Sequence, residues 1–116
     1  MQVKIYHNPR CSKSRQTLQI LRDHDYEPEI IEYLNTPPSA NELKEVLTAL
    51  ELSPRDLMRK KEQEYKDNNL ADDSLTDDEL IDAMVKFPRI IERPIVITSE
   101  GKYALGRPPE KVLDII

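Results

Sequence analysis

An α/β fold with a four-stranded mixed sheet and an inserted helical block is what this 116-residue sequence predicts. Three observations carry that expectation. The first third alternates strand-like and helix-like patterning in the order β-α-β. The last quarter reads β-β-α, with a hairpin turn and a double proline. Between them, about 39–88, lies a run of capped amphipathic helices without strand signals.

Each element has a local reason. Gln2 to Tyr6 alternates Val3 and Ile5 with Lys4 and Tyr6, the period of a short strand. From Ser12 to about His24, Cys11, Leu18 and Leu21 recur at helical spacing and Ile20 widens the stripe. Glu29 to Tyr33 is a second strand centred on Ile30 and Ile31, stopped by Pro37-Pro38. Ser39 and Glu42 form a capping box ahead of Leu43, Val46, Leu47 and Leu50 on one helical face. Pro54 can start a further helical stretch bearing Leu57 and Met58, with a break at Asp67-Asn68-Asn69. A second capping box, Thr76 and Glu79, opens a helix carrying Leu80, Ile81, Met84 and Val85, with Pro88 just beyond. Ile95–Thr98 and Lys102–Leu105 flank a turn at Ser99-Glu100-Gly101, and Pro108-Pro109 opens a final helix with Val112, Leu113 and Ile116. A β-α-β start joined to a β-β-α finish is the thioredoxin-like pattern. The chain is expected to form a single domain over 1–116.

Composition narrows the function. The chain has one cysteine, which excludes a disulfide framework and fits a reducing, cytoplasmic setting. No apolar stretch is long enough to span a bilayer, and the N-terminus lacks a signal-peptide core, so no membrane is expected. The net charge of −5 hides a segregation: residues 1–22 carry Lys4, Arg10, Lys13, Arg15 and Arg22 and no acid, whereas 23–53 are acidic. An acidic chain with basic islands is not built as a nucleic-acid binder, but it can focus a small anion at one place. The ordinary reading of such runs is a solvated face.

The chemistry centres on Cys11, at a strand–loop–helix junction within His7-Asn8-Pro9-Arg10-Cys11-Ser12-Lys13-Ser14-Arg15. Helix-start N–H groups and nearby cations favour a thiolate there, and Arg10, Lys13, Arg15 and His7 lie within a few residues. His7 either tunes the thiolate or bonds a loop carbonyl. Ser14 either donates to the thiolate or caps the helix. Asn8 and Pro9 shape the loop. Arg93-Pro94 precedes the third strand, placed like the cis-proline that faces the reactive cysteine in thioredoxin-like folds; the isomer is not written in the sequence, but that placement would project Arg93 beside Cys11. Arg59, Arg93 and Arg107 come from separate parts of the chain, and together they could clamp one tetrahedral oxyanion. No His/Cys cluster suggests a metal site.

Tyr6-His7-Asn8-Pro9-Arg10-Cys11, Ser14-Arg15, Thr17-Leu18, Tyr33-Leu34, Leu57-Met58-Arg59, Arg93-Pro94-Ile95-Val96 and Gly106-Arg107-Pro108 resemble the glutaredoxin-linked arsenate reductases, in order and across nearly the whole chain. The resemblance implies a thioredoxin-like fold, a site for arsenate or a similar oxyanion, and reduction of arsenate to arsenite. Glutathione would be the co-substrate and glutaredoxin the protein partner, with no bound cofactor. Cys11 would be the nucleophile, His7 its tuning neighbour, and Arg59, Arg93 and Arg107 the oxyanion ligands. One departure is visible: the family commonly reads Cys-Gly-Thr-Ser-Arg, and here Ser12-Lys13 follow the cysteine. Two rival readings share the fold. A monothiol glutaredoxin-type enzyme needs Cys11 but not the arginines. A regulatory adaptor would resemble thiol-sensing members that contact RNA polymerase, but those commonly carry Cys-x-x-Cys, and position 14 here is serine.

Overall fold

The computed structural model describes residues 1–116. The chain packs as two compact units, residues 1–36 with 93–116, and residues 37–92. No helix is long and apolar enough to cross a membrane.

The first unit holds the sheet. Its elements are β1 (Val3–His7), α1 (Ser12–Asp23), β2 (Glu29–Glu32), β3 (Ile95–Thr98), β4 (Tyr103–Leu105) and a closing 3₁₀ helix, Pro109–Asp114. Strand order is β2-β1-β3-β4. β1 runs parallel to β2, with Ile5 opposite Ile30, and antiparallel to β3, with Ile5 opposite Val96. β3 and β4 form the antiparallel hairpin. This is the mixed four-stranded sheet and the β-α-β, β-β-α order of a thioredoxin-like fold.

The alternation read from Val3 and Ile5 decides which face is dry. Val3, Ile5 and Val96 meet Leu18 and Leu21 of α1 and Val112 of the last helix in one buried cluster. Fully burying a side chain of this size contributes about 1.5–3 kcal/mol. α1 is thereby pinned along the sheet, with its N-terminus at the end of β1. β2 is an edge strand and mostly exposed, which its β-branched centre did not announce. The final segment winds as 3₁₀ rather than α, with Val112 buried and Leu113 exposed. The hairpin turn needs Gly101, whose φ of 77° lies in the left-handed region.

The second unit is helical. α2 (Ala40–Leu50) and α4 (Asp77–Lys86) both begin with the predicted capping boxes, at Ser39/Glu42 and Thr76/Glu79. α2 contacts α4, and Leu43, Val46, Leu47, Leu80, Ile81 and Met84 are buried. The stretch after Pro54 is not one helix. It makes a 3₁₀ turn, Pro54–Leu57, and then extends at Met58, which pairs with Ile91 in a β-bridge. Glu92 N–H donates to Leu57 O at 2.8 Å. This pairing claims the backbone that a helix would need, so α3 starts only at Gln63 and ends at Asp67. Asn69, with φ of 53°, makes the break.

Candidate active site

Asn8 organises the loop between β1 and α1. Its carbonyl accepts from Cys11 N–H at 3.0 Å, its side-chain Oδ1 accepts from Arg10 N–H at 3.0 Å, and its own N–H donates to Ser14 Oγ at 3.1 Å. The residue is buried, so leaving these groups unpaired would be costly. Arg15 adds an outer tie, Nη1 to Pro9 O at 3.0 Å. The result places Cys11 at the N-cap of α1, in extended backbone, beside the N–H groups that open the helix.

Ser14 is fully buried, and its hydroxyl neither caps the helix nor reaches the sulfur. It lies 2.6 Å from His7 Nδ1 while accepting from Asn8 N–H. We assign the hydroxyl hydrogen to Nδ1, which leaves the imidazole proton on Nε2. Burial pushes the His7 pKa below its ordinary value. Glu32 opposes that shift, and Arg22 and Arg15 reinforce it. His7 is therefore a neutral strut at pH 7, linking the end of β1 to the first turn of α1.

Cys11 is partly exposed and is a free thiol. Burial by itself would raise its pKa. The Ser14 N–H, the Arg93 guanidinium through both hydrogen bond and charge, and the Lys13 N–H outweigh it and hold the thiol below its ordinary value. The cation at the sulfur is thus Arg93, far away in sequence, whereas the adjacent Arg15 turns to a loop carbonyl and Lys13 acts through its backbone. Ser12-Lys13 in place of a glycine leaves the helix-start donors in reach, since both Lys13 and Ser14 N–H groups engage the sulfur.

Arg93 precedes a cis peptide bond to Pro94, and Arg107 precedes another to Pro108. Arg107 Nη1 donates to the Arg93 carbonyl at 3.2 Å, so these two expected site arginines meet in one unit. Gly106 N–H donates to Pro94 O at 2.9 Å. Gly106 has no room for a side chain: a Cβ there would lie 2.5 Å from Thr17 Oγ1 and 2.8 Å from Pro94 Cγ. Arg59 belongs to the helical unit, where Nε pairs with Glu62 at 3.2 Å and Nη1 with Glu92 at 3.4 Å.

Tyr33 has no chemical signature in the sequence beyond its place in the set that carries the family resemblance. It is buried in the turn after β2, and its phenol is a side-chain partner of Arg93. No group of three or more His, Cys, Asp or Glu side chains gathers to hold a metal. An open groove of about 570 Å³, lined by Gln2, Lys4, Tyr26, Glu29 and Thr98 among others, contributes no residue to this site. Chemically, the arrangement offers a thiol whose pKa is lowered, a guanidinium acting on it, and a second guanidinium on the backbone of the first.

Comparisons with known proteins agree with this geometry. Residues 6–115 match the ArsC family. The chain is 55% identical over 116 residues to an uncharacterized protein, YfgD, of Escherichia coli K12, covering 99% of this chain and 97% of that one. It is 44% identical over 112 residues to an arsenate reductase of Neisseria meningitidis, covering 96% and 95%. Among solved structures, an arsenate reductase from Vibrio cholerae superposes with a TM-score of 0.95 at 50% identity, covering 100% of this chain and 98% of that one. From the Cys11 junction to the Arg93-Pro94 strand, sequence and fold agree that this chain belongs to the ArsC family.

Proposed function

We propose that this protein is an arsenate reductase that converts arsenate to arsenite, with Cys11 as nucleophile and with glutathione and glutaredoxin supplying the electrons. One observation carries the reading: the only thiol is held below its ordinary pKa by helix-start N–H groups and by Arg93, beside which lies Arg107. The names of relatives at 44% and 50% identity point the same way.

The steps follow from the chemistry of the site. The Cys11 thiolate attacks arsenic(V), and a sulfur–arsenic bond replaces one oxygen, which leaves as water. Arg93 and Arg107 stabilise the oxyanion as charge gathers on its oxygens. Glutathione adds through its thiol and displaces a second oxygen as water. A glutaredoxin thiolate then attacks the glutathione sulfur. A disulfide forms, the arsenic–glutathione bond breaks, and its electron pair stays on arsenic, which becomes arsenic(III). Water displaces Cys11, and arsenite leaves. With no second cysteine in the chain, the external thiols are a chemical requirement. The place of Arg59 in the clamp rests on the resemblance alone and is tested by Arg59→Ala.

The test is arsenate-dependent NADPH oxidation coupled through glutathione, glutaredoxin and glutathione reductase. Wild type should turn over and Cys11→Ser should not. Arg93→Ala should lose roughly two orders of magnitude in kcat/KM, the loss expected for one oxyanion donor. Full activity in either variant would refute the assigned role. Turnover of a glutathione mixed disulfide with no response to arsenate would instead identify a glutaredoxin-type enzyme.

A further inference from the structure

We propose that Tyr33 is a positioning residue of the site: its buried phenol holds the Arg93 guanidinium against the Cys11 sulfur. The inference rests on the proposed function and deepens it by naming what orients the anion-binding arginine.

Three observations lead to it. Tyr33 retains only 1% of its surface, in the turn that follows β2, so its ring is fixed by packing and cannot follow a mobile partner. β2 runs parallel to β1 with Glu32 opposite His7, which brings the next residue, Tyr33, to the sheet end where the Cys11 loop departs. Finally, the Arg93 guanidinium interacts with the Cys11 sulfur and with the Tyr33 phenol, Arg93 Nε and the Tyr33 hydroxyl are both buried, and the Arg93 carbonyl is held by Arg107. Arg93 is therefore anchored at backbone and side chain before any substrate arrives.

The chemistry of the anchor matters. A guanidinium is commonly oriented by carboxylates, as Arg59 is by Glu62 and Glu92 in the helical unit. Carboxylates would neutralise the charge that the thiolate and the oxyanion need. A phenol is uncharged at neutral pH, so it orients Arg93 and leaves the full positive charge to the site. Leu34 beside it is exposed and has no such partner, which separates Tyr33 from its neighbour in the resemblance set.

The experiment reads the Cys11 thiolate directly, as the pH dependence of alkylation by iodoacetamide, with no arsenate present. Wild type, Tyr33→Phe, Arg93→Ala and the double variant are compared. Tyr33→Phe keeps the ring and removes only the oxygen. Its midpoint should rise, and each unit of rise lowers the thiolate fraction below the midpoint about tenfold. In the Arg93→Ala background the same change should add nothing, because the phenol acts only through Arg93. An unchanged midpoint in Tyr33→Phe, or an equal shift with and without Arg93, would overturn the proposal. Should Tyr33→Phe fail to fold, site-specific 4-fluorophenylalanine at position 33 fills the space of the hydroxyl with a much weaker acceptor that cannot ionise, and must shift the midpoint in the same direction. Since the assay contains no oxyanion, a protein inactive on arsenate could still show the shift, so failure of the functional reading and failure of this one are separable.

Discussion

Replacing Gly106 by alanine tests whether the end of β4 supports the site by close contact. The new Cβ would lie 2.5 Å from Thr17 Oγ1, 2.8 Å from Pro94 Cγ and 3.2 Å from Pro94 Cδ. Comfortable carbon contacts begin near 3.5 Å, so something must move by roughly 1 Å. Thr17 can rotate, but its hydroxyl then gives up the bond to Lys13 O at 2.8 Å, at a cost of about 1 kcal/mol. The proline ring cannot rotate away. It must shift with its peptide, which strains the Gly106 N–H to Pro94 O bond, and overpacking of this kind costs about 1–3 kcal/mol. The sum is a loss of roughly 2–4 kcal/mol. Urea unfolding followed by far-ultraviolet circular dichroism measures it as a lower midpoint at constant slope. Thr17→Ala/Gly106→Ala removes the oxygen clash and should lose less than the two single losses summed. Because Pro94 is bonded to Arg93, Gly106→Ala should also raise the midpoint for Cys11 alkylation. A stability loss under about 0.5 kcal/mol with an unchanged slope would refute the reasoning.

Two other predictions concern the strut beneath the cysteine. Ser14→Ala leaves two buried partners, Asn8 N–H and His7 Nδ1, without their hydroxyl, and should cost about 2–6 kcal/mol in urea unfolding at about 1–3 kcal/mol for each stranded group. A loss below about 1 kcal/mol would show that water replaces the hydroxyl. His7 has a folded pKa below its unfolded value of about 6.5, so the unfolded chain binds the extra proton. The stability contributed by neutral His7 is complete above about pH 6.5 and is lost as pH falls toward the folded value. The slope of unfolding free energy between about pH 6.5 and 5 should therefore be smaller in His7→Asn than in wild type, and equal slopes would rule the mechanism out.

What was legible in the sequence was local. The capping boxes at Ser39 and Thr76, the alternation through Val3 and Ile5 and the hairpin around Gly101 are each specified within a few residues, and each forms as read. The helix expected after Pro54 was interrupted because Met58 pairs with Ile91, a partner that no local window contains. The site shows the same divide. The helix-start placement of Cys11 is written in its neighbours, whereas Arg93 beside its sulfur is legible only through the thioredoxin-like placement of Arg93-Pro94: Arg10, Lys13 and Arg15 are the nearer cations along the chain, and topology delivers Arg93. Ser14 was read through its own helix, whereas its partners, His7 and Asn8, lie back across the loop. Tyr33 carried no chemical signal at all, since a tyrosine closing a strand is ordinary until the residue opposite it is known.

The sheet places β1 in the middle, between β2, which follows it closely, and β3, which is made only after the whole helical unit. A ribosome delivers Cys11 early and Arg93 late. On the growing chain, Cys11 lacks the guanidinium that stabilises its thiolate, and helix-start donors hold it only if α1 has formed. The set of groups that lowers the Cys11 pKa is therefore completed by the last quarter of the polypeptide, and chains truncated before β3 carry a thiol without Arg93. Vectorial synthesis thus supplies the thiol first and its cation last.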